Sequence, residues 1–400
     1  PDTYIGSIEP DEEENWLLNE NNKMVWSKYN WTAGFYKCFD EGIVNCRDHQ
    51  IRLNEKIKKG EKGILPVKNI EITIDKATGV ITMYNDGNGI DIAKHPEYNL
   101  WIPEMIFGHL RTGSNYDKSE KKIVGGKNGF GFKLVLIYSK WGEIETVDHI
   151  RKLKYVQKFE NNLGKICKPK VTKTKLKPYT KVSWLPDYKR FGMDGLTDDM
   201  FSILKKRTLD ISAVTDKNVK VKFNKNLFPA KTFEQYVDLY IGSKSETKRL
   251  YNKANERWEY AVCLSPLDEF TQVSFVNGIH TKKGGKHIEY IMNQIVKKMI
   301  VYIDKKKKIK VKPITIKEQL MLFLNCVIEN PAFDSQTKET MNTPVSKFGS
   351  KCEVSDKFID KLAKMGVMDS AISLNEVKAN KAAKKCDGRK TNNIRGIPKL

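Results

Sequence analysis

Residues 121 to 135, KKIVGGKNGFGFKLV, restrict this chain more than any other stretch. Four glycines (Gly125, Gly126, Gly129 and Gly131) fall within seven positions, directly ahead of Lys133, Leu134, Val135, Leu136 and Ile137, a run that can open a helix. Glycines let backbone N–H groups approach an anion without a Cβ in the way, a helix N-terminus carries roughly half a positive charge, and Lys127 and Lys133 add full charges. The pattern is a phosphate cradle in outline, although a glycine-rich turn before a helix also serves as a plain loop. Lys133 is followed by Leu134 and not by a hydroxyl, which excludes the G-x-x-x-x-G-K-[ST] loop. Any metal beside a nucleotide bound here has to be held from elsewhere.

A polyanion suits the rest of the chain. Lys and Arg number 71 against 49 acidic residues, a formal charge of +22, which favours a partner such as nucleic acid. Four hundred residues with 40% hydrophobic content suffice for two or three packed domains. Seven cysteines, an odd number with no C-x-x-C pair, fit buried thiols in a reducing, intracellular setting. No run of about 18 apolar residues occurs, so no membrane span is expected. The chain starts at Pro1 and ends on Pro398, Lys399 and Leu400 without a closing element, and reads as cut at both ends.

In order, residues 1 to 30 read as a turn-rich, aromatic-bearing arm with no amphipathic period. Residues 31 to 50 read as a helix, with Phe35, Phe39, Ile43 and Cys46 on one face and Glu41, Asn45 and His49 stacked at i, i+4 and i+8 on another. A basic loop (52 to 63) leads to two alternating strands, 69 to 75 and 80 to 86, the second running into Asp86-Gly87-Asn88-Gly89. A short helix and a polar, lid-like loop (98 to 122) carry Ser114 and Asn115 to the glycine stretch. Strands at 142–149, 152–160 and 179–187, a helix at 196–209 and a strand pair near 218–224 point to an α+β sandwich. From about residue 235 the pattern changes, with strands around 257–265 and 270–281, a long amphipathic helix at 287–308 and a buried segment after 317. A domain boundary is expected there, dividing 1–235 from 236–400.

Hydrolysis of a bound triphosphate needs a base near a water, and Mg²⁺ needs hard oxygen ligands. Glu41 and Asn45 supply such a pair, the amide ligating without adding negative charge beside the phosphates; taken alone, Glu41 reads as an exposed helix residue.

The set FDEGIVN (39 to 45), NDGNGI (85 to 90), IPEMIFGHL with SNY (102 to 116) and GGKNGFGFKL (125 to 134) resembles the Bergerat, or GHKL, ATP-binding fold. PDTYIGS, KYVQKFENN, SFVNGIHTKKGGKH, IENPAFDSQTKE and KKCDGRK extend the likeness over nearly the whole chain, which resembles the ATPase region of eukaryotic and large-DNA-virus type II topoisomerases. The resemblance implies a GHKL α/β sandwich followed by a transducer similar to the ribosomal protein S5 domain 2-like fold. It implies Glu41 as the general base and Asn45 as the Mg²⁺ ligand, with Asp86 on the adenine amino group and Ser114 and Asn115 on ribose and phosphates. Gly126, Lys127, Asn128, Gly129, Phe130, Gly131, Phe132 and Lys133 would form the phosphate loop. Gln336, Thr337 and Lys338 would reach from the second domain, Lys338 onto the γ-phosphate, and the arm with Tyr4 would cross to a second subunit. ATP would close the two chains on a DNA duplex, in the nucleus of a cell or in a virus-infected host cell or virion.

Three residues depart from that pattern: Gly42 where relatives carry a bulky aliphatic residue, His49 where most carry Asn, and Phe132 in place of a small residue. Lys305, Lys306, Lys307 and Lys308 read as a DNA-facing patch or as a solvated helix end. An ATP-dependent DNA clamp with little turnover is the alternative to the ATP-hydrolysing enzyme.

Overall fold

The computed structural model describes residues 5–109, 123–124, 131–267, 269–377 and 380. Residues 11 to 30, expected as part of an arm, form instead, together with Trp31 from the expected helix, an antiparallel hairpin of β1 (Asp11–Leu18) and β2 (Met24–Trp31), paired from Asp11↔Trp31 to Leu18↔Met24. Its stabilising partners lie far along the chain, which is why no local period announces it. Trp16 packs edge-on against Tyr240 and Trp26, and Asp199 accepts a hydrogen bond from the Asn30 N–H.

Helix α1 (Ala33–Lys58) runs through residues 52 to 58, which the sequence reading gave to a loop. Leu53 stays buried beside exposed Arg52, Lys56 and Lys58 and half-buried Glu55, all good helix formers, and the terminal lysines complement the helix dipole. Behind it stands a nine-stranded sheet: β3 (Asn69–Ile74), β4 (Ile81–Asp86), β5 (Ser139–Val147), β6 (Leu153–Glu160), β7 (Lys165–Ile166), β8 (Lys170–Lys173), β9 (Tyr179–Pro186), β10 (Lys220–Phe223) and β11 (Asn226–Leu227). The spatial order is β11-β10-β3-β4-β9-β5-β6-β7, with β8 also on β6. Alternate residues, among them Ile70, Ile72, Ile81, Met83, Val182 and Trp184, are buried, so one sheet face lies under a helical layer. That layer contains α1, α3 (Gly131–Ile137) and α4 (Asp198–Val214); α2 (Ile102–Gly108) packs beside α3.

Helix α5 (Phe233–Ile241) straddles the expected boundary and leads to a five-stranded sheet of β12 (Arg249–Asn255), β13 (Trp258–Leu264), β14 (Thr271–Val276), β15 (Ile279–His280) and β17 (Leu320–Cys326), ordered β12-β13-β17-β14-β15. A short ladder joins β16 (Gly284–Gly285) to β18 (Thr340–Met341). One face of the second sheet buries Val262, Leu322 and Leu324 under α6 (Lys286–Lys307), α7 (Pro313–Lys317) and α8 (Asp356–Leu362). The other face, through Cys263, Phe275 and Phe323, joins the core of the first sheet by way of Tyr236 and Tyr240. Six cysteines among the described residues are free thiols. No helix among the described residues is long and apolar enough to cross a membrane.

Candidate active site

Glu41 is 8% exposed on the inner face of α1 and is gripped from two directions. Lys37, one turn earlier, brings Nζ to 2.5 Å from Oε1, and Lys338 brings Nζ to 3.5 Å from the same oxygen. Lys338 sits in the segment between β17 and β18 at φ +60°, with its N–H donated to Ser335 O. Burial alone would raise the Glu41 pKa, but the Lys338 and Lys37 ammonium groups outweigh it and bring the carboxyl down to about 2. Burial dominates at Lys338 itself, whose pKa is lowered.

The first residue of α3 has to be glycine for this arrangement to exist. A Cβ at Gly131 would stand 2.0 Å from Glu41 Oε2, so only hydrogen there lets the carboxylate lie against the helix start. Phe132 and Lys133 follow in the same turn, both buried, and burial lowers the Lys133 pKa. Tyr4, Ser114, Asn115, Gly126, Lys127, Asn128, Gly129 and Phe130 lie outside the described residues.

Asn45 is half-buried one turn after Glu41, and His49 one turn further on. His49 Nε2 is buried without a hydrogen-bond partner among the described residues and lies 3.4 Å from where a Cβ at Gly87 would stand.

Asp86 is placed otherwise than expected. Strand β4 alternates Ile81, Met83 and Asn85 toward the helical layer with Thr82, Tyr84 and Asp86 toward the other face. The Asp86 carboxylate is already used there: Oδ1 accepts the N–H groups of Lys68 (2.7 Å) and Asn69 (2.9 Å), and Oδ2 accepts Asn69 Nδ2 (2.7 Å). Its task is to tie the end of β4 to the start of β3. The residue presented to the α1 side is Asn85, 5% exposed, whose Nδ2 donates to Asp86 O. The sequence reading missed Asn85 and Lys37; the parity of β4 and the i, i+4 spacing of Lys37 and Glu41 were the available signals.

The second unit also reaches the back of α1. Asp40 Oδ1 accepts Arg207 Nε at 2.6 Å, and Arg207 Nη2 donates to Gly278 O at 2.9 Å in the turn between β14 and β15. Thr337 meets the start of the described chain, with Cγ2 2.9 Å from where a Cβ at Gly6 would stand, while Ser7 O accepts the Gly34 N–H. Gln336 is half-buried beside it. Lys305, Lys306 and Lys307 form the exposed last turn of α6, capped by Lys308, and are not part of the Glu41 cluster. The assembly can therefore hold a buried carboxylate ionised and make its surroundings depend on a lysine from the segment that follows the second sheet.

A family model described as DNA gyrase B matches residues 232–392. DNA topoisomerase 2 of Arabidopsis thaliana is 43% identical over 98% of this chain, and that of Acanthamoeba polyphaga mimivirus 41% over 97%. The chain spans 26% of the length of the plant protein and 30% of the viral one. Among solved structures, the ATPase region of Saccharomyces cerevisiae topoisomerase II superposes with a TM-score of 0.85 at 40% identity, covering 94% of this chain and 95% of that one. The ATPase and transducer domains of DNA topoisomerase II from Balamuthia mandrillaris give 0.86 at 36% identity, covering 95% of each chain.

Proposed function

This chain belongs to the type II DNA topoisomerases, as a counterpart of their ATPase and transducer region, and on that premise we propose that it binds and hydrolyses ATP to close a gate between two copies of itself around a DNA duplex. One observation supports the mechanism above the rest: Glu41, the base, is paired with Lys338, a residue of the segment that follows the second sheet. With its pKa at about 2, the Glu41 carboxylate is a weak base. A γ-phosphate beside Lys338 would draw the ammonium away from Glu41 and bring negative charge toward the carboxylate. Both changes raise its proton affinity, so that it can take a proton from the attacking water. Loss of the γ-phosphate returns Lys338 to Glu41, and the second unit registers the change.

Asn45, half-buried on the same helix face and adding no charge, suits one ligand position of Mg²⁺, the others being phosphate oxygens and water. The ion would neutralise charge on the phosphates. Asn85 is proposed for the base-facing role first given to Asp86, because it is the residue that β4 turns toward α1. The glycine stretch through Lys133, with Ser114 and Asn115, would enclose the phosphates. Gln336 and Thr337 would flank the γ-phosphate, and Tyr4 would cross to the second subunit. The exposed lysines 305 to 308 would meet DNA phosphates, giving sequence-independent, salt-sensitive binding. Strand passage by the longer protein, inside a cell or an infected host cell, is the process this gate would serve.

Steady-state ATP hydrolysis tests the reading, measured with and without duplex DNA over a protein concentration series, beside Glu41→Gln. Turnover rising faster than linearly with concentration and lost in the variant supports it. Nucleotide binding without turnover in the unaltered protein favours the clamp, a reading consistent with the double lysine grip on Glu41.

A further inference from the structure

We propose that the free edge of the first sheet, formed by β7, β8 and the residues that follow as far as Lys177, is a separate contact surface for duplex DNA, one that works without nucleotide and apart from lysines 305 to 308. Charge singles it out. Residues 151 to 181 hold eleven Lys and Arg and one acidic residue, Glu160, and so carry nearly half of the chain's formal charge of +22. The fold turns this local excess into a surface. Strands β7 and β8 both pair with β6 and lie at the end of the strand order. Lys165, Lys168, Lys170, Lys173, Lys175 and Lys177 are exposed along that edge, and among the described residues only Lys165 of the six has an acidic partner, Glu160 at 2.7 Å. The parity of β6 turns Tyr155, Gln157 and Phe159 inward, which leaves Lys154 and Lys158 to extend the basic surface onto the sheet face away from the helical layer. Glu145, an acid on that face, is already neutralised by Lys154 at 3.3 Å and Lys181 at 3.4 Å.

Lysine on a sheet edge also guards against pairing with another chain. That task ends with the strand at Lys173, whereas Lys175 and Lys177 carry the charge beyond it. What the segment lacks identifies the partner. Residues 165 to 177 contain no Arg, Asn or Gln to read base edges and no aromatic residue on which an unpaired base would stack. Lysines alone suit the phosphates of a duplex, bound without regard to sequence. The edge follows β6 for its eight residues, roughly 26 Å, which is the rise of about eight base pairs. This surface belongs to the first unit and lysines 305 to 308 to the second, so a duplex is held here before any ATP-driven closure.

The test is fluorescence anisotropy of a labelled DNA duplex of about 30 base pairs, without nucleotide, in salt from about 50 to 200 mM. It compares the unaltered protein with an edge variant (Lys168→Gln, Lys170→Gln, Lys173→Gln, Lys175→Gln and Lys177→Gln) and a helix-end variant (Lys305→Gln, Lys306→Gln, Lys307→Gln and Lys308→Gln), each checked for an unchanged unfolding temperature. The edge variant is expected to bind about tenfold or more weakly at the lowest salt, with the slope of log affinity against log salt reduced by about 3 to 4. The helix-end variant is expected to keep most of the nucleotide-free binding. Unchanged affinity and slope in the edge variant overturn the inference; if that variant self-associates as well, the lysines serve only to guard the edge. Loss of nucleotide-free binding in the helix-end variant alone overturns it too, and displacement of the duplex by poly-glutamate at equal charge overturns the assignment to DNA. The readout involves no ATP, so failure of the gate reading leaves this result standing.

Discussion

The ring of Phe132 lies 3.4 Å from where a β-carbon at Gly42 would stand, and Met83 Sδ lies closer still, at 2.6 Å. Two departures that look unrelated in the sequence are thus one packing unit. Gly42 leaves a space beside Glu41, and Met83 and Phe132 fill it, with Phe132 held edge-on between Phe107 and Trp184. Introducing a branched side chain there, as in Gly42→Ile, is expected to cost about 1–3 kcal/mol by overpacking. Adding Phe132→Leu should recover part of that loss, because the smaller side chain vacates the disputed volume. Denaturant unfolding of both single variants and the double checks this, and strictly additive losses would refute the coupling.

Asn85 and Asp86 are adjacent but are expected to fail differently. Asn85→Ala should weaken nucleotide binding by about 1–3 kcal/mol with little change in unfolding temperature. Asp86→Ala removes the acceptor of three hydrogen bonds that fasten β3 to β4, so it should lower the unfolding temperature first. Thermal melts with and without a nucleotide analogue separate the two; the reverse pattern would restore Asp86 to the binding role.

Lys37 should set the acid limit of turnover. It is one of the two cations holding the Glu41 carboxyl at about 2, against the burial that raises it. In Lys37→Met the carboxyl loses that cation and its pKa rises, so protonation disables the base at higher pH. The acid limb of the kcat profile is expected to move up by about one pH unit or more. A profile identical to that of the unaltered protein would show that Lys37 does not act on the base during turnover.

His287 should make the fold acid-sensitive. It is wholly buried, shares hydrogen bonds with Thr281 Oγ1 (2.9 Å) and Ser274 Oγ (3.1 Å), and burial lowers its pKa from 6.5 to about 3. Below pH 6.5 the unfolded chain binds a proton at this imidazole that the folded chain refuses, so stability falls as pH falls from 6.5 toward about 3. Stability measured between pH 7.5 and 5 should show a shallower acid loss in His287→Gln. Equal slopes would mean that the imidazole protonates in the folded state.

Much of the site was legible because its signals are local. The stack of Glu41, Asn45 and His49 follows from helical spacing alone, and α1 bears it out. The strands β3 and β4, the long helix α6 and the helix beginning at the end of the glycine stretch likewise follow from short-range period and turn chemistry. Composition and charge pointed to a polyanionic partner through counts that no folding changes.

What the sequence could not determine depends on partners distant along the chain. Residues 11 to 31 form strands because Tyr240 and Asp199 wait for them across the fold. Asp86 is tied to the start of β3 and Asn85 is turned toward α1 because the parity of a strand is invisible until the core chooses one of its faces. Gly42, Met83 and Phe132 become a single unit only when a helix, a strand and a second helix meet. Lys338 and Glu41 stand 297 positions apart, and their ionic contact arises from the docking of two sheets through one shared core. Sequence alone determined the chemical groups and their local order; tertiary packing decided which of them face one another, because burial and charge pairing act through space and not along the chain.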